Sequence, residues 1–356
     1  MASAAGVVRS AFLSPAGPAR VTLAAAPPMT ADPIAQALFP PFDDPAAFDR
    51  IRADLDAFLP AIRAVCERHG LAASGLAAFE RGTNVVVSND AGQIIKLFPP
   101  FLRHQFEAER LALGRVHGNV PVATPEILRE GELDGWPYLV MSRLPGRTLE
   151  EVWPALGGAE RAEALARIGE IMTAAHALPT GGLESLDLGW DTFVERQIAG
   201  CEGRHRRMRL PERLVAQIPA YLASARLLLP TSVIPVLLTG EYTPENLLVT
   251  RTGGAWRVTG MIDFADACLG PAEYDLLGPC LFLAAGSAEL QRAFLVACGT
   301  GIADADLTPA LSRKLMALAL LHRYSNLGYQ IRIEGWESQA SSLSELEQLI
   351  WPFPVR

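Results

Sequence analysis

The spacing of hydrophobic residues changes from a strand period to a helical period midway along this 356-residue chain, and that change constrains the fold most strongly. The first part combines short alternating runs, which predict strands, with two stretches of helical spacing. Its predicted elements are a helix at 46–69, strands at 76–79, 85–87 and 93–98, a helix at 102–116, and strands at 127–132 and 138–141. This order predicts a mostly antiparallel five-stranded sheet accompanied by helices.

Beyond Pro145-Gly146 the pattern is mainly helical, with one interruption at 236–263 that predicts a strand, a loop and a hairpin. The predicted helices cover 159–177, 190–207, 211–228, 287–298 and 308–328. The expected fold class is therefore α+β with two lobes. The expected divisions are an Ala/Pro-rich tail at 1–40, expected to be disordered, an N-terminal lobe at 41–142 and a helical C-terminal lobe at 143–356.

Composition excludes several functional classes. A net charge of -8 and a pI near 5.4 argue against a nucleic-acid partner, because phosphate backbones require a basic surface. No apolar run reaches the length of a membrane span, and no long apolar segment of the kind found in secretory signals occurs near the start. The five cysteines form no CxxC pair, which predicts a reduced, cytoplasmic protein without a disulfide framework or zinc site.

Lysine is rare in this chain, which has only Lys96 and Lys314 among its many basic residues. Lys96 stands in the apolar strand Gln-Ile-Ile-Lys-Leu-Phe, where a bare charge is costly unless an acid is near. On the helix at 102–116, Glu109 shares the apolar face expected to pack on the sheet, whereas Glu107 faces solvent. We therefore expect Glu109 to contact Lys96. The alternative is a lysine that extends from a sheet edge to water.

A second group of polar residues lies around the predicted hairpin. Glu241 and Asn246 are five positions apart on the loop before its first strand, and Asp263 follows its second strand. A carboxylate, an amide and another carboxylate are thus expected at one end of a small sheet. Such a set suits phosphoryl transfer, in which one acid orients the acceptor hydroxyl and the other two side chains hold Mg²⁺. The alternative is ordinary polar residues in surface turns.

These segments together resemble the aminoglycoside phosphotransferase and choline kinase superfamily, which has the protein-kinase-like fold. The resemblance extends from about residue 46 to the C-terminus, and the nearest likeness is to hygromycin B phosphotransferases. The segments that carry it are QIIKLFPP, WPYLVMSRLPGRTL, WRVTGMIDFADACLGPAEYDLLGP and LSRKLMALALLHRY followed by SELEQLIWPFP. The resemblance implies ATP and Mg²⁺ as cofactors and a small-molecule acceptor.

The resemblance also implies a role for each matching residue. The implied nucleotide-binding residues are Lys96, Glu109, Gly82, Thr83, Asn84, Ser142 and Leu144. Lys96 would hold the α- and β-phosphates, with Glu109 orienting it. The loop at 80–84, which has a single glycine, would cover the phosphates, and the backbone of Ser142 and Leu144 would bind adenine. Asn246 and Asp263 would bind Mg²⁺, and Glu241 would be the catalytic residue.

Several neighbouring residues could have more than one role. Asp275 matches a framework aspartate that braces the catalytic loop, and His176 is expected to pack near a helix end. Asp266 and Glu273 would either face a cationic substrate or serve as caps or solvated charges. The basic run at 203–209 is expected to be a solvated helix end, with an anion clamp as the alternative.

The catalytic loop departs from the family pattern, since Thr239-Gly240-Glu241 stands where relatives have His-Gly-Asp. The leading hypothesis is an ATP-dependent phosphotransferase that acts on a hydroxyl of a small molecule, with an aminoglycoside or similar aminated sugar or alcohol as the expected acceptor. The alternative is a pseudokinase or nucleotide-binding scaffold, because a misplaced carboxylate impairs transfer.

Overall fold

The computed structural model describes residues 38–240 and 242–354. The predicted tail at 1–40 therefore lies outside the described residues except for its last three positions. Internal contacts divide the chain into two units, one comprising the residues up to Arg110 with Pro125–Arg143, the other Leu111–Thr124 with Leu144–Arg356. Each unit has its own buried core and is described separately.

The first unit is built on the predicted antiparallel sheet. Its elements, with the helix at the boundary, are α1 (Pro45–Ile51), α2 (Leu55–His69), β1 (Ala77–Ala78), β2 (Val85–Ser88), β3 (Gln93–Leu97), α3 (Arg103–Val116), β4 (Ile127–Leu133) and β5 (Trp136–Ser142). The strand order is β1-β2-β3-β5-β4, and every neighbouring pair is antiparallel. The five-stranded sheet predicted from the alternation is confirmed.

Helix α2 covers one face of this sheet. Its buried Phe58 and Ile62 share a core with Ile95 and Leu97 of β3. Because successive side chains of a strand point to opposite faces, Lys96 faces away from this core. The prediction of one helix at 46–69 was wrong, since the Asp54 carboxylate accepts a hydrogen bond from the Asp56 N–H at 3.1 Å and starts a new helix there.

The second unit is mainly helical. Its elements are β6 (Arg147–Thr148), α4 (Leu149–Val152), α5 (Gly158–His176), α6 (Trp190–Arg207), α7 (Glu212–Val215), α8 (Ile218–Ala225), β7 (Val236–Leu238), β8 (Leu247–Thr252), β9 (Ala255–Met261), β10 (Cys268–Gly270), α9 (Leu277–Phe282), α10 (Ala288–Ala297), α11 (Pro309–Leu321), α12 (Leu327–Gln330), α13 (Trp336–Gln339) and α14 (Leu343–Ile350). Single turns of 3-10 helix lie at Trp153–Ala155, Glu184–Leu186, Arg226–Leu228, Ala272–Tyr274 and Asp304–Asp306, and one more lies in the first unit at Pro100–Leu102.

Two of the predicted helices end early. The helix predicted at 211–228 divides into α7 and α8, because Pro219 at the start of α8 lacks the N–H that would continue the earlier turn. The helix predicted at 308–328 stops at Leu321. The N–H of Arg323 donates instead to the Tyr274 hydroxyl at 2.8 Å, a contact from a distant part of the chain.

Two small sheets position the loops of interest. Strand β8 pairs with β9 in a hairpin and with β6 on its other side, while β7 pairs with β10. The strand, loop and hairpin predicted at 236–263 are therefore present. Strand β7 leads into Thr239 and β9 leads towards Asp263. In the part of the chain that is described, no helix has the length and apolar character needed to span a membrane.

Candidate functional site

A buried ion pair joins strand β3 to helix α3 in the first unit. Lys96 Nζ lies 2.6 Å from Glu109 Oε2, and the two residues are 4 % and 1 % exposed. The same ammonium lies 5.3 Å from the centre of the Phe98 ring. Glu107 is exposed. The predicted contact of Lys96 with Glu109, and the outward position of Glu107, are confirmed.

The loop at 80–84 uses its side chains for internal hydrogen bonds. Asn84 Nδ2 donates to Gln105 Oε1 at 2.9 Å, and the Thr83 hydroxyl donates to the same oxygen at 3.3 Å. Gly82 has a φ of +110°, a value that favours glycine. Asn84 and Thr83 therefore hold the loop to α3, and phosphate binding by this loop stays a prediction.

Gln105 also belongs to this part of the site, although it was not predicted from the sequence. It lies one helical turn before Glu109 on α3, so both residues share the helix face that carries the ion pair. That i, i+4 spacing was a usable signal. Its amide oxygen accepts a hydrogen bond from each of the two loop side chains, Thr83 and Asn84.

The two predicted adenine-binding residues belong to different units. Ser142, at the end of β5, donates its N–H to the Glu126 carbonyl at 2.9 Å, and its hydroxyl accepts from the Glu126 N–H at 2.9 Å. In the second unit, Leu144 lies beside Gly260, where an added Cβ would meet Leu144 Cδ1 at 3.3 Å. Adenine binding by the backbone of Ser142 and Leu144 stays a prediction.

Asn246 and Asp263 lie together at one end of the β8–β9 hairpin in the second unit. The Ile262 N–H donates to the Asn246 carbonyl at 2.9 Å, which places Asp263 one residue beyond that pairing. Asp263 adopts a φ of +63°, which is uncommon for a residue other than glycine. Its carboxylate accepts from the Ala265 N–H at 3.4 Å. Strained backbone of this kind is often found where a side chain must be aimed at a ligand.

The donor chemistry at this end of the hairpin suits a magnesium ion that arrives with a nucleotide. Within the described residues, no group of three or more His, Cys, Asp or Glu side chains could hold a metal ion. Asn246 and Asp263 provide one amide and one carboxylate oxygen. Mg²⁺ commonly takes one or two protein oxygens and completes its shell with water and phosphate oxygens. The pair therefore fits Mg²⁺, although it would not form a separate, fully protein-coordinated site.

The start of the predicted catalytic loop is held by Asp275. The Thr239 N–H donates to Asp275 Oδ2 at 3.2 Å, and His176 Nε2 lies 3.0 Å from the same oxygen. The predicted bracing role of Asp275 is confirmed by this contact, and His176 contributes to the brace instead of only packing near a helix end. The predicted catalytic residue, Glu241, lies outside the described residues.

Gly240 brings the same loop against the segment that follows Asp263. Its φ is +92°, and an added Cβ would lie 2.3 Å from the Asp266 carbonyl oxygen. Only glycine fits both the backbone angle and the available space. The loop that carries Glu241 and the loop that carries Asp263 are therefore in direct backbone contact.

The other charged candidates are engaged within the second unit. The Tyr324 hydroxyl donates to Asp266 Oδ1 at 2.5 Å, and Lys314 Nζ lies 2.7 Å from Glu273 Oε1. Both acids therefore contact side chains of the second unit, and a role in facing a cationic substrate stays a prediction. In the basic run, Arg206 pairs with two neighbouring glutamates while Arg204 donates to the Leu320 carbonyl at 2.8 Å. These contacts support a structural role for the run.

Known proteins resemble this chain in sequence and in fold. Residues 78–311 match a family model described as a phosphotransferase enzyme family. The GDP complex of aminoglycoside 2'-phosphotransferase-IIIa is 18% identical, with a TM-score of 0.62 over 82% of this chain and 98% of that chain. A streptomycin–ATP ternary complex of APH(2'')-IIa is 14% identical, with a TM-score of 0.51 over 74% of this chain and 90% of that chain.

A further similar structure is a thermostable mutant of APH(4)-Ia in a ternary complex with AMP-PNP and hygromycin B. It is 17% identical, with a TM-score of 0.51 over 81% of this chain and 96% of that chain. At these identities the likenesses show the fold, and they confirm the predicted kinase-like α+β class. The particular likeness to hygromycin B phosphotransferases stays a prediction.

Proposed function

Because this chain belongs to the phosphotransferase enzyme family, we propose that it transfers the γ-phosphoryl group of ATP to a hydroxyl of a small molecule. The acceptor class we propose is an aminoglycoside or a similar aminated sugar or alcohol. We also propose a cytoplasmic location, which the free, buried state of the five cysteines supports, since thiols stay reduced in that compartment.

The observation that carries the proposal is the buried pair of Lys96 and Glu109. A fixed carboxylate at 2.6 Å holds the ammonium in one position, so the strand presents a point charge of defined location. Such a charge can bind nucleotide phosphates without rearranging, which is what electrostatic stabilisation of phosphoryl transfer requires. A lysine serving only packing would have no need of this costly burial.

The second unit supplies the other proposed roles. Asn246 and Asp263 would hold Mg²⁺, which neutralises charge on the nucleotide phosphates when it is bound. Glu241 would accept a hydrogen bond from the acceptor hydroxyl and orient it. The brace from Asp275 to Thr239 supports this assignment, because it fixes the backbone two residues before Glu241.

A pseudokinase or nucleotide-binding scaffold is the second candidate. The observation that favours it is the sequence Thr239-Gly240-Glu241, in which the usual histidine is missing and the acid is one methylene longer. The two candidates agree on nucleotide binding and differ only in acceptor phosphorylation.

Glu241 provides the test between them. We expect the native protein to phosphorylate at least one member of a panel of aminoglycosides and amino-alcohols. Glu241→Gln should lower that transfer by about 10²–10⁴-fold, the usual worth of a positioned acid or base, with Mg-ATP affinity nearly unchanged. Glu241→Asp should retain measurable activity. Phosphate transfer and calorimetric Mg-ATP binding are measured for all three proteins. Equal transfer by native protein and Glu241→Gln would exclude the assigned role.

Asp263→Asn tests the magnesium assignment without disturbing the backbone. Asparagine tolerates the left-handed conformation at this position and keeps a side-chain oxygen, so the substitution removes mainly the charge. We expect ATP affinity to lose most of its dependence on Mg²⁺. Titrations of ATP with and without Mg²⁺ provide the measurement, and an unchanged Mg²⁺ dependence would place the metal elsewhere.

A further inference from the structure

We propose that Arg323 and Tyr324 are positioning residues for phosphoryl transfer, because they clamp Asp266 against the loop that carries Glu241. The inference rests on the proposed function for its catalytic consequence, although the clamp itself can be tested without an acceptor. Both residues belong to LLHRY, the end of one of the segments that carry the family resemblance.

The clamp holds Asp266 by its backbone and by its side chain. The Arg323 guanidinium donates to the Asp266 carbonyl oxygen and lies 3.9 Å from the carboxylate oxygen Oδ1. The Tyr324 hydroxyl donates to the same Oδ1 at 2.5 Å. Arg323 also lies over the Tyr324 ring, 5.0 Å from its centre, so the two clamp residues support one another.

Asp266 also contacts the loop that carries Glu241. Its carbonyl oxygen is the atom that a Cβ at position 240 would approach to 2.3 Å, so the Gly240 backbone packs directly on it. Asp266 also lies three residues after Asp263, the proposed magnesium ligand. One residue therefore fixes the spacing between two loops that both supply proposed catalytic groups, and errors of an ångström in such spacing are costly.

Contacts with Tyr274 hold the segment that carries Arg323 and Tyr324 in place. The chain leaves helix α11 at His322, whose ring stacks on Tyr274 with centres 4.5 Å apart. The Arg323 N–H donates to the Tyr274 hydroxyl at 2.8 Å. Burial and the neighbouring guanidinium groups lower the pKa of His322 to about 3, which keeps this ring neutral at physiological pH.

Tyr324→Phe is a clean variant for the test, because the Tyr324 side chain is 43 % exposed and loss of its hydroxyl opens no cavity in the core. Tyr221→Phe is the matched control. The Tyr221 hydroxyl also donates to a carboxylate oxygen at 2.5 Å, that of Glu347, in a cluster that α8, α11 and α14 form with Arg313. Both variants lose a phenol hydroxyl that donates to a carboxylate oxygen at 2.5 Å, in an exposed contact for Tyr324 and in a buried one for Tyr221.

Hydrogen–deuterium exchange on the full chain without ligands measures the clamp directly. We expect peptides spanning 238–246 to exchange faster in Tyr324→Phe and at the native rate in Tyr221→Phe. In the transfer assay, we expect Tyr324→Phe to lower kcat by about 10- to 100-fold, the scale of a small misplacement, with Mg-ATP affinity within about twofold of native. Tyr221→Phe should keep the native kcat.

The exchange rates test whether the clamp exists, and kcat tests whether it positions the catalytic loop. Equal exchange at 238–246 in native protein and Tyr324→Phe would overturn the clamp, whether or not any acceptor is found. Faster exchange with an unchanged kcat would overturn the positioning role, as would an equal loss of kcat in Tyr221→Phe. A native protein that phosphorylates no acceptor would contradict the proposed function, and the exchange data would still decide whether the clamp exists.

Discussion

At the scale of single residues, Lys96 and Glu109 depend on one another. Both side chains are almost fully buried, so neither charge can be satisfied by water. Removing one partner of such a pair leaves an uncompensated charge and typically costs about 3–5 kcal/mol, whereas replacing both with apolar groups is often neutral. Stability and nucleotide binding can therefore be separated experimentally.

Lys96→Met alone should lower the free energy of unfolding by about 3–5 kcal/mol and abolish Mg-ATP binding. The double variant Lys96→Met/Glu109→Leu should recover most of the stability and still bind no Mg-ATP. Urea denaturation and calorimetry measure the two properties. Native affinity in the double variant would show that the pair serves only the fold.

The residues of the candidate site differ in how far sequence could locate them. Lys96 and Glu109 follow from strand alternation and helical spacing, which are local rules. Asn84 was correctly placed on the loop, but its hydrogen bond to Gln105 crosses from one element to another and leaves no local signal. The contact of Tyr324 with Asp266 joins positions 58 residues apart, so no spacing rule could have revealed it.

At the scale of helices and strands, periodicity predicted the longer elements and missed where some of them end. It did not predict the short elements β6, β10, α4, α9, α12, α13 and α14. Helix α11 stops because the Arg323 N–H donates a hydrogen bond to the hydroxyl of Tyr274, which lies 49 residues away in the sequence. Ends of this kind are decided by tertiary partners and not by propensity. A helix can also determine the position of a loop. Helix α3 holds the loop at 80–84, because Gln105 on that helix accepts hydrogen bonds from Thr83 and Asn84.

Gln105→Leu should weaken Mg-ATP binding without removing any group expected to touch the nucleotide. The substitution removes the closer of the two acceptors of the buried Asn84 amide, at a cost of about 1–3 kcal/mol, and frees the loop from α3. The matched control is Gln291→Leu, which removes another buried glutamine whose amide donates to two carbonyls in the second unit. We expect both variants to lose stability and only Gln105→Leu to lose nucleotide affinity, as measured by denaturation and calorimetry. Equal affinities would contradict the link between α3 and the loop.

At the scale of the whole molecule, buried neutral histidines make stability depend on pH. Burial lowers the pKa of His205 to about 4, and its Nε2 lies 3.0 Å from the Leu320 carbonyl. The unfolded chain takes up a proton near pH 6.5 and the folded chain only near pH 4. Stability is therefore complete above about pH 6.5 and falls as the pH drops from there towards 4, where the unfolded state binds more protons.

From His205 alone, the free energy of unfolding should fall by about 2 kcal/mol between pH 7 and pH 5. His205→Gln keeps a donor for the Leu320 carbonyl and cannot take up a proton, so its loss over the same interval should be smaller by that amount. Urea denaturation of both proteins at the two pH values provides the comparison. Parallel losses would mean that His205 does not control the acid sensitivity.

The scarcity of lysine has a practical consequence for spectroscopy. Growth on isotope-enriched lysine would label just two side chains, Lys96 in its buried pair and Lys314 beside Glu273. A correlation spectrum of the ammonium-bearing methylene groups would therefore contain two resonances, one from the proposed phosphate contact and one from a reference remote in sequence. Nucleotide titrations followed on those two signals would report occupancy at Lys96 against an internal standard, without any engineered probe.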